Sequence, residues 1–319
     1  MPETPPLPPP HGFAFTDQAS FLKAPRDESA GLKPFGLAGL CWDGCVTNRP
    51  GARFGPRAIR AASHMLCDGI HPHFNVSPLQ HLTDLGDLPL PNTSLEAMRA
   101  ALAAQLPALL DQRHMVWLGG DHSVTLPLLR ALKVRHGRPL AVIHFDAHCD
   151  TWEDHFGEPS GHGTWVYEAF VEGLVEPACF TQLGIRSSGE RAAREYVRDQ
   201  GGQIFTARDL RGLESPAQLA AVMDAIRQRQ AAQDHPPVYL SLDIDCLDPA
   251  FAPGTGTPEP GGMSSNQVLS LLEGLADLPF VGMDCVEVAP PYDHAEMTAN
   301  AAAHFVWTYL SGQLAKRKD

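Results

Sequence analysis

Residues 140–150 read LAVIHFDAHCD, a short and largely apolar run followed at once by two aspartates and a histidine. Such a run predicts a buried strand of a parallel sheet. Because residues two apart in an extended chain point to the same side, Asp146, His148 and Asp150 can converge beyond its end. Ligands of open parallel sheets bind beyond the carboxyl ends of the strands. The stretch therefore predicts an α/β fold with a site at this strand end.

Other short apolar runs lie on both sides of this stretch. Longer helical patterns separate them, an alternation typical of repeated βα units around a parallel sheet. No internal repeat or linker divides the chain beyond about residue 35, so we expect one doubly wound α/β domain over residues 35–319, preceded by a Pro-rich arm over residues 1–34. The further predicted strands are Met115–Leu118, Phe180–Gly184, Val238–Leu242 and Phe280–Cys285.

Three helix starts are predicted from capping-box spacing, in which a Ser or Thr is followed three residues later by Glu or Gln. The helix after Ser215 also has Pro216 at its first position. Its apolar residues fall on one face and should pack on the sheet. The predicted boxes are Thr93 with Glu96, Ser215 with Gln218, and Ser264 with Gln267, and the apolar face is Leu219, Val222, Met223 and Ile226.

The composition excludes several classes of partner. The 319 residues include 37 acidic and 24 basic side chains, a formal charge of -13. Such a surface repels phosphate backbones and anionic lipid, so we expect neither nucleic acid nor a membrane as partner, and a small cation fits better. No apolar run approaches the roughly 20 residues of a membrane helix. The N-terminus does not resemble a signal peptide and the seven cysteines are scattered, so we expect a cytoplasmic protein.

Possible metal ligands cluster at three predicted strand ends, in GGDHS (119–123), DAHCD (146–150) and DID (243–245). GGDHS alone also fits a turn before a helix, and DID alone is common. Together they would gather about four negative charges that repel one another unless cations are present. Two divalent ions relieve this repulsion, and mixed carboxylate and imidazole ligands favour Mn²⁺ over a structural zinc.

These motifs carry a resemblance to a known family. GGDHS, DAHCD and SLDIDCLDPAFAPGTGTPEPGG (241–262) resemble the ureohydrolases, which include arginase, agmatinase and guanidinobutyrase. The third motif and VGMDCVEVAPPYDHAEMT (281–298) look most like bacterial agmatinases. The resemblance extends from about residue 35 to the last helix.

The resemblance implies a three-layer α/β/α fold, a binuclear manganese centre and a homotrimer or homohexamer. Ni²⁺ or Co²⁺ would suit the same ligands. The resemblance further implies that Glu287 receives the guanidinium group and that His162 is a proton shuttle. The alternative for His162 is a loop histidine without a catalytic role, and the alternative for Glu287 is a structural ion pair. Carried over by motif, one ion would be held by His122, Asp146, Asp150 and Asp243, and the other by Asp146, His148, Asp243 and Asp245.

The implied reaction is hydrolysis of a guanidino compound to urea and an amine, with agmatine and putrescine as the expected substrate and product. Two ions that share one water lower its pKa toward neutrality. Asp150 would accept the nucleophile's proton, and His162 suits protonation of the departing amine. A non-catalytic metal-binding relative and a zinc deacetylase on a related fold are the alternatives from other classes.

The choice of guanidino compound stays open, because 4-guanidinobutyrate, 3-guanidinopropionate and guanidine fit the same chemistry. The arginase loop that grips an amino acid is not found after DAHCD, which disfavours arginine. Solvated surface charge is the commoner explanation for the acidic candidates, and contacts that hold subunits or neighbouring segments together are the commoner explanation for the arginines. The candidates for binding a cationic tail are Glu153, Asp154 and Glu158, and those for an acidic tail are Arg49, Arg53 and Arg57. Trp152 and Trp165 would narrow the entrance and so favour a smaller substrate.

A separate question is whether cysteines have a redox role, and the candidates are Cys41, Cys45 and Cys149.

Overall fold

The computed structural model describes residues 19–26, 31–154 and 156–317. Most of the predicted N-terminal arm, with its Pro-rich first dozen residues, lies outside the described residues. Residues 19–26 pack against the main body: Phe21 is fully buried, and its N–H donates to Asp84 at 2.7 Å. Leu22 N–H donates to Ser63 Oγ at 2.8 Å. The domain boundary at residue 35 stays a prediction, and a short segment before it belongs to the same core.

The centre of the molecule is one eight-stranded sheet in which every pair of neighbours is parallel, in the order β2-β1-β3-β8-β7-β4-β5-β6. The five predicted strands are confirmed, with β5 longer than expected. The strands are β1 Phe35–Gly39, β2 Leu82–Asp87, β3 His114–Leu118, β4 Leu140–Phe145, β5 Val175–Ile185, β6 Gln203–Thr206, β7 Val238–Asp243 and β8 Phe280–Val286.

Helices cover both faces of the sheet. Two predicted capping boxes are confirmed, at Ser215 and Ser264. The box at Thr93 is wrong by one residue, because Ser94 has the extended backbone of an N-cap and its side chain accepts the N–H of Ala97. The helices are α1 Gly55–Ser63, α2 Leu95–Gln112, α3 Thr125–His136, α4 Trp165–Val171, α5 Arg191–Arg194, α6 Tyr196–Asp199, α7 Ala207–Leu210, α8 Pro216–Ala232, α9 Ser265–Gly274 and α10 Met297–Lys316.

Two hydrophobic cores lie on opposite faces of the sheet, as the alternation of side chains along a strand requires. In β3, Val116 and Leu118 belong to the core beneath α1, α8, α9 and α10. Met115 and Trp117 belong to the core beneath α2, α3 and α4. The predicted apolar face of α8 is buried in the first core. This arrangement confirms the three-layer α/β/α fold.

The strand order brings the functional motifs together. The four central strands β3, β8, β7 and β4 are neighbours, although they are far apart in sequence. Because all four are parallel, their carboxyl ends meet at one edge of the sheet. No helix of the described part of the chain is both long and apolar enough to cross a membrane.

Candidate active site

The carboxyl ends of three of the four central strands, β3, β4 and β7, hold all six predicted metal ligands. His122 begins a short turn of helix after β3, Asp243 ends β7, and Asp146 follows β4 directly. Five of the six side chains are buried, and His148 is 17% exposed. The structure therefore places the predicted residues side by side: His122, Asp146, His148, Asp150, Asp243 and Asp245.

One cluster surrounds the imidazole of His122. Its Nδ1 lies 3.1 Å from Asp146 Oδ2 and 3.2 Å from Asp150 Oδ2. Asp243 Oδ2 lies at 3.2 Å from the same nitrogen. Three carboxylate oxygens and one imidazole nitrogen thus converge on one point, which is a suitable ligand set for a divalent ion.

A second cluster surrounds His148. Its Nδ1 lies 3.0 Å from Asp245 Oδ2 and 3.3 Å from Asp146 Oδ1. Asp146 therefore presents one oxygen to each cluster, the arrangement that a bridging carboxylate needs. Asp243 Oδ2 faces His122, while its Oδ1 accepts the backbone N–H of Asp245 at 2.8 Å.

The protonation of His122 fits metal binding. Its Nε2 lies 2.8 Å from Ser241 Oγ, and that hydroxyl donates to Asp284 at 2.8 Å, so Nε2–H must be the donor to Ser241. The buried Nδ1 has no hydrogen bond of ordinary geometry among the described residues, and three carboxylate oxygens face it instead. A buried imidazole nitrogen and three carboxylate oxygens that face one another are suitable ligands for a metal ion.

The charges of the site also call for cations. Burial raises the pKa of Asp150 to about 8, and the neighbouring Asp146 charge adds to the effect. Burial and then the Asp245 charge raise the pKa of Asp243 well above its usual value. Ionised carboxylates this close are stable only when positive charge is bound between them.

Glu287 follows β8 with a left-handed backbone (φ 63°), which turns its side chain back into the site. Its Oε1 accepts the backbone N–H of His122 at 2.9 Å and lies 2.9 Å from His162 Nδ1. Its Oε2 is buried and has no partner among the described residues. A buried carboxylate oxygen without a donor is suited to receive one from a bound cation.

His162 lies between Glu287 and Thr47. Its Nδ1 lies 2.9 Å from Glu287 Oε1, and its Nε2 lies 3.0 Å from Thr47 Oγ1. Burial would lower the pKa of His162, but the charge and hydrogen bond of Glu287 outweigh it and raise the pKa to about 9. The structure therefore places both non-ligand residues of the predicted site together beside His122.

A cavity of about 480 Å³ opens above these groups. Glu153, Asp154 and Glu259 line it, and its described lining includes no lysine or arginine. Glu158 lines a different cavity with Pro159. The residues around the cavity are Thr47, His122, His148, Asp150, Trp152, Glu153, Asp154, Phe156, His162, Gly163, Ser187, Ser188, Asp243, Thr257 and Glu259.

The three candidate arginines for an acidic tail lie outside this lining. Arg49 stacks over the ring of Tyr292 at 5.2 Å, and Arg53 forms an ion pair with Asp43. Arg57 is an exposed residue of α1. The loop therefore brings none of them into the described wall of the cavity.

Of the two predicted entrance tryptophans, only Trp152 lines the cavity. The prediction for Trp165 is wrong: its side chain is fully buried beneath the metal ligands. Its indole N–H donates to Asp150 Oδ2 at 2.7 Å, and its ring lies 4.9 Å from that of His122. It begins α4, which packs on the sheet, so the indole contacts the ligands from below.

The cysteines take no part in the site. Burial raises the pKa of Cys41 and of Cys45 to about 12, which keeps both thiols protonated, and both are free. Cys149 is fully buried in the core beneath α2, α3 and α4, which confirms that it points away from the carboxylates.

The sequence motifs do not identify His144 and Ser241, which contact the predicted ligands, or Asp284, which contacts Ser241. His144 Nε2 lies 2.7 Å from Asp146 Oδ2, and Asp284 anchors Ser241. His144 and Ser241 stand two residues before Asp146 and Asp243, on the same side of their strands. That spacing was the available signal, but a polar residue inside an apolar strand gives no indication of its partner.

The fold and the site define an α/β protein with a buried metal-binding His/Asp centre. The model of the arginase family matches residues 33–311. Agmatinase of Chromobacterium violaceum is 41% identical over 285 residues, which cover 86% of this chain and 82% of the relative. The chain therefore belongs to the arginase family, whose members are binuclear metal enzymes.

Solved structures agree with this assignment. Proclavaminate amidino hydrolase of Streptomyces clavuligerus superposes with a TM-score of 0.86 and 35% identity, covering 95% of this chain and 99% of that one. A hypothetical agmatinase of Burkholderia thailandensis gives a TM-score of 0.84 and 36% identity, covering 96% of this chain and 94% of that one.

Proposed function

We propose that this chain hydrolyses agmatine to putrescine and urea at a binuclear manganese centre. Relatives named agmatinase and amidino hydrolase make it a hydrolase that acts on guanidino compounds. The observation that carries the choice of agmatine is the acidic cavity without a described lysine or arginine in its lining. Agmatine is a dication at neutral pH, whereas a guanidino acid would place its carboxylate against these acidic walls.

In this proposal the two clusters hold one ion each. The ion beside His122 would be held by His122, Asp146, Asp150 and Asp243, and the ion beside His148 would be held by His148, Asp146, Asp243 and Asp245. The distances of 3.0–3.3 Å around the two imidazoles support these sets, except that the place of Asp243 beside His148 rests on the family resemblance. When bound, such ions supply hydroxide from water at neutral pH.

Glu287 would orient the substrate. Its unpartnered Oε2 pairs with the guanidinium fork, while Oε1 is held by the His122 N–H. Fixing both oxygens places the guanidinium carbon above the clusters, and orientation of this kind lowers the barrier substantially.

Asp150 and His162 would move the protons. Water would add to the guanidinium carbon, and Asp150 would accept the proton that the water loses and pass it to the leaving nitrogen, so that the C–N bond to the amine breaks. The new C–OH group loses its proton as urea forms, and His162 would relay one proton to the departing amine so that it leaves as an ammonium ion. The place of His162 in the cavity wall beside Glu287 supports this role. The products are urea and putrescine.

The test is urea release from agmatine, 4-guanidinobutyrate, 3-guanidinopropionate, arginine and guanidine, with the protein loaded with Mn²⁺ and separately with Ni²⁺. Agmatine should give the highest kcat/KM by at least about tenfold, or about 1.4 kcal/mol. The Asp146→Ala protein is the control for contaminating activity. Preference for a guanidino acid would contradict the choice of agmatine and leave the hydrolase chemistry intact.

Three further proposals rest on the family and on composition. We infer a homo-oligomer, a trimer or hexamer, and a cytoplasmic location, and residues 35–319 as one domain after a 34-residue arm. Light scattering of the purified protein tests the first. A mass of about 34.5 kDa, that of one chain, would contradict it.

A further inference from the structure

His144 lies in the middle of the metal-binding region but belongs to neither proposed ligand set. It is fully buried near the end of β4, two residues before Asp146 and on the same side of the strand. Its Nε2 lies 2.7 Å from Asp146 Oδ2. This is a hydrogen-bond distance to the carboxylate that faces both clusters.

Gln182 fixes which nitrogen of His144 carries the proton. The two residues are paired in register between β4 and β5. The Gln182 amide donates one N–H to the Cys149 carbonyl at 2.8 Å and faces His144 Nδ1 at 3.2 Å. If the Gln182 amide were flipped, its oxygen would face the Cys149 carbonyl oxygen, and two acceptors cannot form a hydrogen bond. The amide nitrogen therefore donates its second N–H to His144 Nδ1, which must be the acceptor. Nε2–H of His144 is therefore the donor to Asp146.

Both oxygens of Asp146 are thus held by N–H donors from the protein. Oδ2 accepts from His144, and Oδ1 accepts the backbone N–H of His148 at 2.6 Å. The same oxygens face His122 Nδ1 at 3.1 Å and His148 Nδ1 at 3.3 Å. A carboxylate that must serve two ions keeps this orientation only while both anchors are present.

We propose that His144 is a positioning residue that locks Asp146 in its bridging orientation and so sets the affinity for the ion beside His122. This inference rests on the binuclear centre proposed above. Loss of an outer hydrogen bond to a metal ligand typically costs 10–100-fold in metal affinity. The anchor on Oδ1 does not depend on His144, so the ion beside His148 should be affected less.

The test compares His144→Phe with His144→Gln. Phenylalanine keeps a ring against Trp165 and Phe180, which lie 4.9 and 6.2 Å from the imidazole, but it has no donor. Glutamine places an amide N–H near the position of Nε2. Mn²⁺ is titrated calorimetrically into each metal-free protein, and circular dichroism of the metal-free forms checks folding.

We expect His144→Phe to bind one Mn²⁺ as the wild type does and the other about 10–100-fold more weakly. His144→Gln should stay within about threefold of the wild type, as a conservative rescue. Gln182→Met removes the donor that fixes the tautomer of His144. It should weaken the Mn²⁺ affinity by an amount between those expected for His144→Phe and His144→Gln. Phe180→Leu removes ring packing against His144 without touching Asp146 and should leave both affinities unchanged.

Two results would overturn the inference alone: wild-type affinity for both ions in His144→Phe, or equal losses in the Phe and Gln variants. A wild-type protein that binds fewer than two ions would overturn the binuclear centre together with this inference. The two failures are therefore distinguishable in one set of titrations.

Discussion

At the scale of single residues, the site depends on side chains whose polar atoms are only partly satisfied by the protein. One nitrogen of His122 is bound to Ser241, and the other has no regular hydrogen bond among the described residues and faces three carboxylates. Glu287 has one oxygen held by protein donors, and its other oxygen is free. Buried groups left without partners are costly unless a ligand supplies the missing contact. We therefore expect ions and substrate to bind at these atoms.

Glu287→Gln tests the substrate contact. Removing the charge from a buried pair with a cation costs several kcal/mol, so kcat/KM for agmatine should fall by about 100-fold or more. Steady-state urea release measures this. Glu259→Gln, which removes the same charge from the cavity wall, is the matched control and should cost much less. An equal loss in both variants would contradict the role of Glu287.

The Glu287→Gln substitution should also change the pKa of His162. Glu287 contributes most to raising the pKa of His162 to about 9 against the effect of burial, ahead of the charges of Asp121 and Asp150. Without the carboxylate charge, the pKa of His162 should fall, and the protonated form should be lost at lower pH. NMR titration of the imidazole in Glu287→Gln and wild-type protein measures the change. An unchanged pKa would show that Glu287 does not act on this histidine.

At the scale of elements, most of the central sheet could be predicted from short apolar runs. Strands β1 and β2 were not predicted, because glycines and aspartates interrupt the apolar pattern in their sequences, FGLAG and LTDLGD. The Thr93 prediction failed because Ser94 offers the same capping chemistry one residue later. The clustering of the candidate ligands could be predicted because they follow strand ends directly. Their outer partners could not, since contacts between β4 and β5 or between β7 and β8 depend on register.

The contact between the loop after α1 and helix α10 contains a histidine held in its neutral form. His71 is 2% exposed, and its Nδ1 accepts the N–H of His73 at 3.3 Å. Its Nε2 lies 3.2 Å from Thr308 Oγ1, and Glu273 is more distant at 3.9 Å. Protonation of Nδ1 would place its N–H against the backbone N–H of His73, and two donors cannot form a hydrogen bond. This contact is therefore sensitive to acid.

Acid should weaken that contact and the fold with it. Burial, and then the charges of His73 and His304, lower the pKa of His71 to about 4. Below about pH 6.5 the unfolded state binds this proton and the folded state does not, so stability falls as the pH drops from 6.5 to 4. The slope is about 1.4 kcal/mol per pH unit for one such group. Urea unfolding of wild-type and His71→Gln protein measures it, and equal slopes would contradict the assignment.

At the scale of the whole molecule, folding gathers acidic groups at one edge of the sheet in a chain that is already charged at -13. The cost of bringing these carboxylates together is offset only when cations bind. Three residues distant in sequence, His122, Asp146 and Asp243, meet there because the sheet order makes their strands neighbours or near neighbours. Metal binding and fold stability are therefore linked.

Metal removal should lower the melting temperature of the protein. Ions present at 100 times their dissociation constant stabilise the folded state by about 2.7 kcal/mol. For a domain of this size we expect a shift of roughly 5 °C or more. Differential scanning fluorimetry with chelator and with Mn²⁺ measures it. Asp146→Ala should show a much smaller shift, and an equal shift would mean that the ions bind elsewhere.

The central claim is that two ions in the His122 and His148 clusters enable hydrolysis of agmatine. It is tested most directly by titrating metal-free protein with Mn²⁺ while urea release from agmatine is followed. Activity should rise with metal and reach its plateau at two ions per chain, and Asp243→Ala should remain inactive throughout. Full activity at one ion per chain, or agmatine turnover by Asp243→Ala, would contradict the account.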